Sequence, residues 1–433
     1  MTKKILPIVV LILLSIQAVA QESEFQNRLK SLNGVEVLNK LNSKFEKYEL
    51  FINQPLDHSN KAIGTLHQRV IVTFRGYDKP TVMVTEGYNA DYALYPSYSE
   101  EISDMLDANL VFCEHRYFGK SVPEPCDWQY MTVDNSCNDL HNIRQTFGKI
   151  FSGKWISTGI SKGGSTCTYY RAAYPNDVDA TVAYVAPISR AQEDGRHEKF
   201  LNKKVGTKED RKKMHALQLE YMNRKDSILP MFKKYCENYN YSFSIPIECV
   251  YDYEILELEF SMWQWGTSLK NAPKETDNNQ KWLSYLINVV DPDYFVCPNQ
   301  YLPFFYQALR ELGYYGYSTK HLGSNASIKS TKGYVKQIMV PQEMADIKFD
   351  PTVYKNTCKF LKQNDPTIIF IYGENDPWTA SGVAPWLNCK KKQNIKIYIQ
   401  PNGSHLSRIN NMPNNIEQEI INQLKSWGFL IKN

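Results

Sequence analysis

The sequence predicts an α/β protein in which a mostly parallel sheet carries an inserted helical region. Two observations support this fold class. Short apolar, β-branched runs alternate with segments of helical spacing, and a long region near the middle has helical spacing but almost no strand-like run. Strands that alternate with helices need crossover connections, which make the strands parallel and bury both faces of the sheet. The 433 residues suffice for such a core with an insertion.

The elements of the core are predicted in the following order. After a polar lead, residues 48–55 and 67–74 alternate polar and apolar side chains, which is typical of an antiparallel hairpin. Further strands are predicted at 81–86, 109–114, 155–158, 181–186, 366–372 and 394–399. Helices are predicted at 97–107, 139–151 and 416–429.

The chain is expected to contain four segments. They are a signal peptide at 1–20, the first part of the core at 21–191, a helical cap insertion at 192–345 and the second part of the core at 346–433. The insertion includes a basic cluster at 203–213, but acidic residues are interspersed in it. We therefore interpret this cluster as a solvated helix face and not as a patch that binds nucleic acid.

The first twenty residues have the parts of a secretory signal peptide. Lys3 and Lys4 precede an apolar run, which is shorter than the ~20 residues that span a bilayer. The segment Ala18-Val19-Ala20 then supplies the small residues that a signal peptidase requires. We expect cleavage near Ala20 and a secreted or periplasmic protein, the alternative being a retained anchor.

Composition bears on partners and on redox chemistry. Lys and Arg exceed Asp and Glu by only four (50 − 46), which argues against a protein that coats nucleic acid. Nine cysteines without a C-x-x-C pair favour disulfides over metal sites in an exported protein. The pairs considered are Cys126 with Cys137, Cys236 with Cys249, and Cys358 with Cys389. No metal or other cofactor is expected.

Residues 155–164 (WISTGISKGG) place Ser161 in a G-x-S-x-G pattern between a predicted strand and a predicted helix. Small neighbours permit a sharp turn that lifts the serine hydroxyl above the sheet. The backbone N–H of Lys162, at the start of the helix, then faces the negative charge that develops on a substrate oxygen. The pattern alone is weak evidence, but its strand–turn–helix setting makes Ser161 the candidate nucleophile.

Two more candidates follow later strands. Asp376 comes after the strand at 366–372, and His405 comes after the strand at 394–399. The order Ser, Asp, His is the one in which α/β-hydrolases carry a catalytic triad. His405 is therefore predicted to accept the proton of Ser161, and Asp376 to orient the imidazole. The alternative is that Asp376 belongs to an ordinary turn and His405 to an ordinary loop.

Glu86 stands at the end of a strand, beside the expected second oxyanion donor. That donor is the backbone N–H of Gly87 or Tyr88. An acid at this position either binds the α-ammonium group of a substrate or forms a salt bridge with Arg116 or His115. The sequence leaves both interpretations open.

Trp378 lies two residues beyond Asp376 and also has two interpretations. It either forms a wall of the substrate pocket or packs in the core. Aromatic residues of the insertion have the same two interpretations, because a helical cap needs a hydrophobic core of its own. They are Trp263, Trp265, Tyr314 and Tyr315.

Several motifs resemble those of known serine exopeptidases. The segments 54–58 (QPLDH) and 114–121 (EHRYFGKS) are similar to the prolyl carboxypeptidase and dipeptidyl-peptidase family. A closer resemblance, to the secreted tripeptidyl aminopeptidases of serine peptidase family 37, rests on 85–88 (TEGY), 161–164 (SKGG), 373–378 (GENDPW) and 403–405 (GSH). The first family usually has an aromatic residue after the nucleophile, so Lys162 favours the second.

The resemblance implies an α/β-hydrolase with a helical cap over the site. It also implies a secreted serine exopeptidase that releases short peptides, tripeptides foremost, from free N-termini. The alternatives are an esterase or lipase on the same fold, a prolyl-specific dipeptidyl peptidase, and a catalytically silent protein that binds peptide or glycan. Peptide substrates are the expected partners, without nucleic acid and without a membrane after signal cleavage; the oligomeric state is left open.

Overall fold

The computed structural model describes residues 22–432, which form one nine-stranded sheet flanked by helices. The strands are β1 (Val35–Leu41), β2 (Glu46–Pro55), β3 (Thr65–Phe74), β4 (Thr81–Thr85), β5 (Asn109–Cys113), β6 (Trp155–Ile160), β7 (Ala180–Tyr184), β8 (Ile368–Gly373) and β9 (Ile395–Gln400). Their order across the sheet is β1-β2-β3-β5-β4-β6-β7-β8-β9. Neighbours from β1 through β3 to β5 are antiparallel, and all neighbours from β5 to β9 are parallel. This is an α/β-hydrolase sheet, so the predicted fold class is confirmed.

Twelve α-helices are assigned within the described residues. They are α1 (Glu24–Lys30), α2 (Glu101–Leu106), α3 (Val133–Phe147), α4 (Lys162–Ala173), α5 (Arg196–Lys203), α6 (Lys208–Asn223), α7 (Lys225–Asn238), α8 (Ile247–Trp265), α9 (Asn279–Val289), α10 (Leu302–Gln307), α11 (Thr352–Gln363) and α12 (Asn414–Ser426). Helices α5 to α10 all lie between β7 and β8.

The apolar strands are buried because helices cover both faces of the sheet. Alternate strand residues point to opposite faces. Val70 and Val72 pack in one cluster with residues of α1, α3, α4 and α11, whereas Ile71 packs in another with residues of α2 and α12. Burial on both faces explains why the parallel strands read as continuous apolar runs in the sequence.

The insertion has a separate hydrophobic cluster. Its centre is α8, which is buried continuously over residues 250–262. Trp378, from the core, belongs to the same cluster. The predicted domain limits, 192–345 for the insertion, remain a prediction, because a shared cluster does not define where one domain ends.

Two elements near the N-terminus were not expected. The sequence interpretation has a polar lead where the structure has α1 and β1. Strand β1 is an edge strand, no residue of which is fully buried, and its register is irregular between Val37 and Asn39. The predicted signal peptide lies outside the described residues. Among residues 22–432, no helix is both long enough and apolar enough to cross a membrane.

The disulfide expectation is corrected by the structure. All nine thiols are free, so none of the pairs Cys126–Cys137, Cys236–Cys249 and Cys358–Cys389 is formed. Cys126 is exposed, whereas Cys137 is buried in the core on α3. Burial raises the pKa of the Cys236 thiol to about 12. A thiol kept neutral in apolar surroundings packs as a small hydrophobic side chain.

Candidate active site

Ser161 lies in the turn between β6 and α4, with φ 56° and ψ −120°. L-residues rarely adopt this conformation, and it persists only where the surrounding structure enforces it. The backbone N–H of Ser161 donates to the carbonyl oxygen of Tyr184 at 2.9 Å, which fixes the turn to β7. The structure therefore has the strained strand-to-helix turn that the G-x-S-x-G pattern predicts.

Three glycines make this turn possible. A Cβ added to Gly159 would lie 2.3 Å from the carbonyl carbon of Gly163. One added to Gly163 would lie 2.7 Å from the carbonyl oxygen of Thr85, and one added to Gly164 would lie 2.6 Å from that of Tyr184. All three distances are too short for a real side chain. The first turn of α4 can therefore pack directly on the sheet only because these positions lack side chains.

His405 and Asp376 form a buried pair at the ends of β9 and β8. The imidazole Nδ1 lies 2.7 Å from Asp376 Oδ2. The carboxylate accepts a hydrogen bond from the Nδ1–H group. In a neutral ring Nε2 then carries no proton and can accept one from another group. The other carboxylate oxygen accepts the backbone N–H of Trp378 at 3.1 Å, which holds Asp376 in position.

A cavity beside Ser161 lies between the core and the insertion. Its volume is about 100 Å³, which is below the range typical of sites for drug-sized ligands. Its core side includes Ser161, Tyr88, Lys162 and Trp378, and its insertion side includes Gln264, Phe304, Leu312 and Tyr314. His405 adjoins it through Trp378, since the two ring centres are 6.4 Å apart.

Trp378 packs in a hydrophobic cluster and also faces the cavity, so its role as a wall of the substrate pocket stays a prediction. The side chain is buried in the cluster of the insertion, with ring centres 5.3 Å from Phe260 and 5.4 Å from Tyr314. It also lines the cavity that contains Ser161. Its indole N–H has no hydrogen-bond partner among residues 22–432, so this donor is available to a ligand.

The side chain of Lys162 is buried, which the sequence did not indicate. Its Nζ donates to the carbonyl oxygen of Gly87 at 2.6 Å and lies 5.0 Å from the ring centre of Phe118. Burial lowers the pKa of this lysine well below its usual value, although the charges of Glu86 and Glu311 oppose the shift. Lys162 thus ties the start of α4 to the loop that follows β4.

The same loop contains the predicted oxyanion donors. A Cβ on Gly87 would lie 2.7 Å from Lys162 Cβ and 2.8 Å from Gly163 N, so the loop backbone packs directly against α4. The N–H of Tyr88 donates to Glu86 Oε1 at 3.2 Å. The backbone N–H groups of Gly87 and Tyr88 both act on Glu86, so the assignment of either as a donor stays a prediction.

Glu86 forms no salt bridge within the described chain, so the pairing with Arg116 or His115 is wrong. Arg116 instead donates to both oxygens of Asp139, at 2.6 and 2.7 Å. Glu86 accepts the hydroxyl of Tyr92 at 2.5 Å. Burial raises the pKa of Glu86, while the Tyr92 hydroxyl and nearby backbone N–H groups act in the opposite direction. A half-buried carboxylate with neutral hydrogen-bond partners is left.

The chain matches known peptidases over most of its length. The family model for PS-10 peptidase S37 matches residues 18–395. A prolyl tri/tetrapeptidyl aminopeptidase of Streptomyces mobaraensis is 28% identical over 403 residues, which cover 90% of this chain and 82% of that protein. Human lysosomal Pro-X carboxypeptidase is 25% identical over 156 residues, 32% of each chain. Among solved structures, an esterase of Pyrococcus furiosus is 13% identical with a TM-score of 0.40, covering 92% of this chain and 97% of its own.

Proposed function

Because the chain belongs to the peptidase S37 family and is a serine peptidase, we propose that it is an aminopeptidase with a triad of Ser161, His405 and Asp376. It releases short peptides, tripeptides foremost, from free N-termini. The observation that carries this proposal is the buried His405–Asp376 hydrogen bond, together with a serine in a strained turn that lines the same cavity as Trp378.

The chemistry follows from the protonation pattern of the pair. Nε2 of His405 accepts the proton of Ser161 as Oγ attacks the peptide carbonyl, and the imidazolium returns it to the leaving amine. Asp376 stabilises the imidazolium and keeps the ring in the productive tautomer. Water then hydrolyses the acyl-enzyme by the same route. The backbone N–H groups of Lys162 and Gly87 are the proposed donors to the oxyanion.

Preference for a chain end requires recognition of a charge. A cavity enclosed by the insertion admits narrow, flexible chains, and an unpaired ammonium buried there would be costly. Glu86 is a carboxylate whose present partners are neutral. A substrate ammonium would supply the cation that it lacks and would favour its ionised form. We therefore assign Glu86 as the anchor of the substrate N-terminus.

Acetylation of a good tripeptidyl-aminocoumarin substrate tests the anchor. Loss of the ammonium should lower kcat/KM at least tenfold, about 1.4 kcal/mol of transition-state binding. The variant Glu86→Gln should lose a similar factor on free peptides and little on acetylated ones. Glu193→Gln is the matched control, because Glu193 is another partly buried carboxylate that accepts backbone N–H groups. Equal cleavage of free and acetylated substrates would refute the anchor.

Preference for proline before the cleaved bond is a second candidate. The names of the Streptomyces mobaraensis and human relatives both refer to proline. A peptide library with proline or alanine at that position, read by mass spectrometry, tests it and reports the length of the released peptide. Acyl esters assayed in parallel test the esterase alternative.

Export is also part of the proposal. The basic start, the apolar run and Ala18-Val19-Ala20 support cleavage after Ala20. Sequencing the N-terminus of the exported protein should then give Gln21 as the first residue. An N-terminus at Met1 on the exported protein would contradict cleavage.

A further inference from the structure

We propose that Trp265 and Leu406 bind the leaving part of the substrate, so that the first residue after the cleaved bond is selected for a large apolar side chain. This inference rests on the proposed role of His405. The substrate group that binds at Trp265 and Leu406 is the side chain of the residue whose amine is released.

Two large apolar side chains are exposed next to His405. Trp265 ends α8 and is 50% exposed, and its ring lies edge-on to the imidazole at 5.9 Å between centres. Leu406 directly follows His405 and is 51% exposed. Single exposed apolar residues are common on protein surfaces. An exposed indole against the imidazole, with an exposed leucine at the next position of the chain, instead indicates an apolar surface at the site.

The direction of the substrate follows from the role of His405. The histidine protonates the leaving amine, so the residue that carries this amine must lie against the imidazole. Two indoles adjoin that ring. Trp378 is buried and lines the cavity with Ser161, whereas Trp265 is half exposed. We therefore place the acyl part of the substrate in the cavity with Ser161. The part that carries the leaving amine then lies on the open side of His405, at Trp265.

Backbone contacts hold Trp265 beside His405. The N–H of His405 donates to the carbonyl oxygen of Gln264 at 2.8 Å. Gly266 has φ 71°, and a Cβ there would lie 3.3 Å from Ser404 Cβ. The end of α8 is thus joined to the histidine loop on both sides of Trp265. Truncation of the indole should leave His405 in place.

Competition between amines and water for the acyl-enzyme reports this site directly. An added amine attacks the ester carbonyl, and His405 accepts the proton that the amine loses. The bond from the carbonyl carbon to Ser161 Oγ then breaks, and Oγ recovers a proton from His405. The products are a lengthened peptide and free enzyme, so an amino-acid amide occupies the position of the leaving residue.

The experiment forms the acyl-enzyme from a tripeptidyl-aminocoumarin and adds phenylalanine amide, leucine amide or glycine amide. The ratio of aminolysis to hydrolysis is measured by mass spectrometry. The wild type should prefer phenylalanine amide to glycine amide by about tenfold, the lower end of what a hydrophobic pocket discriminates. Trp265→Ala should reduce this preference to within about twofold. Tyr239→Ala, at an aromatic residue of the insertion that is 58% exposed, should keep it.

Labelling of the nucleophile by a fluorophosphonate separates the outcomes. Unchanged labelling of Trp265→Ala with loss of the preference supports the inference. A wild type without preference, or a Trp265→Ala variant that keeps it, overturns the inference and leaves the proposed function intact. Loss of labelling in Trp265→Ala would make Trp265 a positioning residue for His405 and would also overturn it. A wild type that is not labelled at Ser161 refutes the proposed function itself.

Discussion

Replacement of Gly163 by alanine tests whether close packing between α4 and the end of β4 sets the oxyanion site. The added Cβ would lie 2.7 Å from the carbonyl oxygen of Thr85 and 3.4 Å from the backbone nitrogen of Gly87. Ordinary contacts begin at 3.4 Å, so the two elements must separate by about 0.7 Å (3.4 − 2.7). Alanine suits the helical backbone at this position, and the contact is therefore the main perturbation.

The magnitude follows from the length of a hydrogen bond. A separation of ~0.7 Å lengthens a bond of about 2.9 Å to about 3.6 Å, where it no longer counts as one. Loss of one oxyanion donor costs about 10²–10³ in kcat, and overpacking costs ~1–3 kcal/mol of stability. We expect kcat of Gly163→Ala to fall at least about a hundredfold, with a smaller change in KM.

The assay is steady-state cleavage of a tripeptidyl-aminocoumarin, with urea unfolding measured on the same preparations. Gly195→Ala is the control, because an added Cβ at Gly195 meets no atom within 4 Å. If Gly163→Ala lost stability but kept kcat within about threefold of the wild type, the contact would serve packing alone. Close packing at Gly163 would then not set the oxyanion site.

Three further predictions address the triad, the buried lysine and acid stability. Ser161→Ala should abolish turnover without altering the free energy of unfolding. Asp376→Asn and His405→Ala should each lower kcat about 10⁴-fold. The double variant should lose less than the product of the two factors, because the triad acts as a unit. Lys162→Met keeps the packing but leaves the Gly87 carbonyl without its hydrogen-bond donor, so kcat should fall about tenfold. A kcat equal to that of the wild type would exclude a catalytic role for the hydrogen bond between Lys162 and Gly87. Burial lowers the pKa of His197 to about 4 in the folded protein, whereas the pKa of an unfolded histidine is about 6.5. The unfolded state therefore binds the proton more readily, so the free energy of unfolding is highest above pH ~6.5. It falls as the pH drops towards 4, by up to ~3 kcal/mol. His197→Asn should flatten this decline in urea unfolding between pH 7 and 4.5, and an unchanged decline would contradict the assignment.

The predicted strands agree with the sheet wherever both faces are covered. The runs at 109–114 and 366–372 correspond to β5 and β8, because residues buried on both sides must be apolar without interruption. The sequence pattern does not indicate strand β1, because residues 35–41 (VEVLNKL) form a half-exposed edge with an irregular register. The position of this edge strand depends more on its pairing with β2 than on its own hydrophobic pattern.

The site was predictable in so far as topology controls it. The carboxyl ends of parallel strands meet at one edge, so a serine, an aspartate and a histidine that follow three such strands converge. Side-chain contacts between segments far apart in the sequence were not predictable. Arg116 pairs with Asp139, 23 positions away, and not with Glu86. Lysine is rarely buried, so nothing in the sequence indicated that Lys162 reaches Gly87.

The insertion contributes to the site through its backbone as well as through the cavity wall. The carbonyl oxygen of Gln264 on α8 accepts the backbone N–H of His405, and Asp376 accepts a hydrogen bond from Nδ1 of its imidazole. His405 is thus fixed by one group of the insertion and one of the core. In the proposed triad the imidazole must lie within hydrogen-bond reach of Ser161, so the position of α8 would set the geometry of proton transfer. A shift of α8 would therefore move His405 as well as the wall of the cavity.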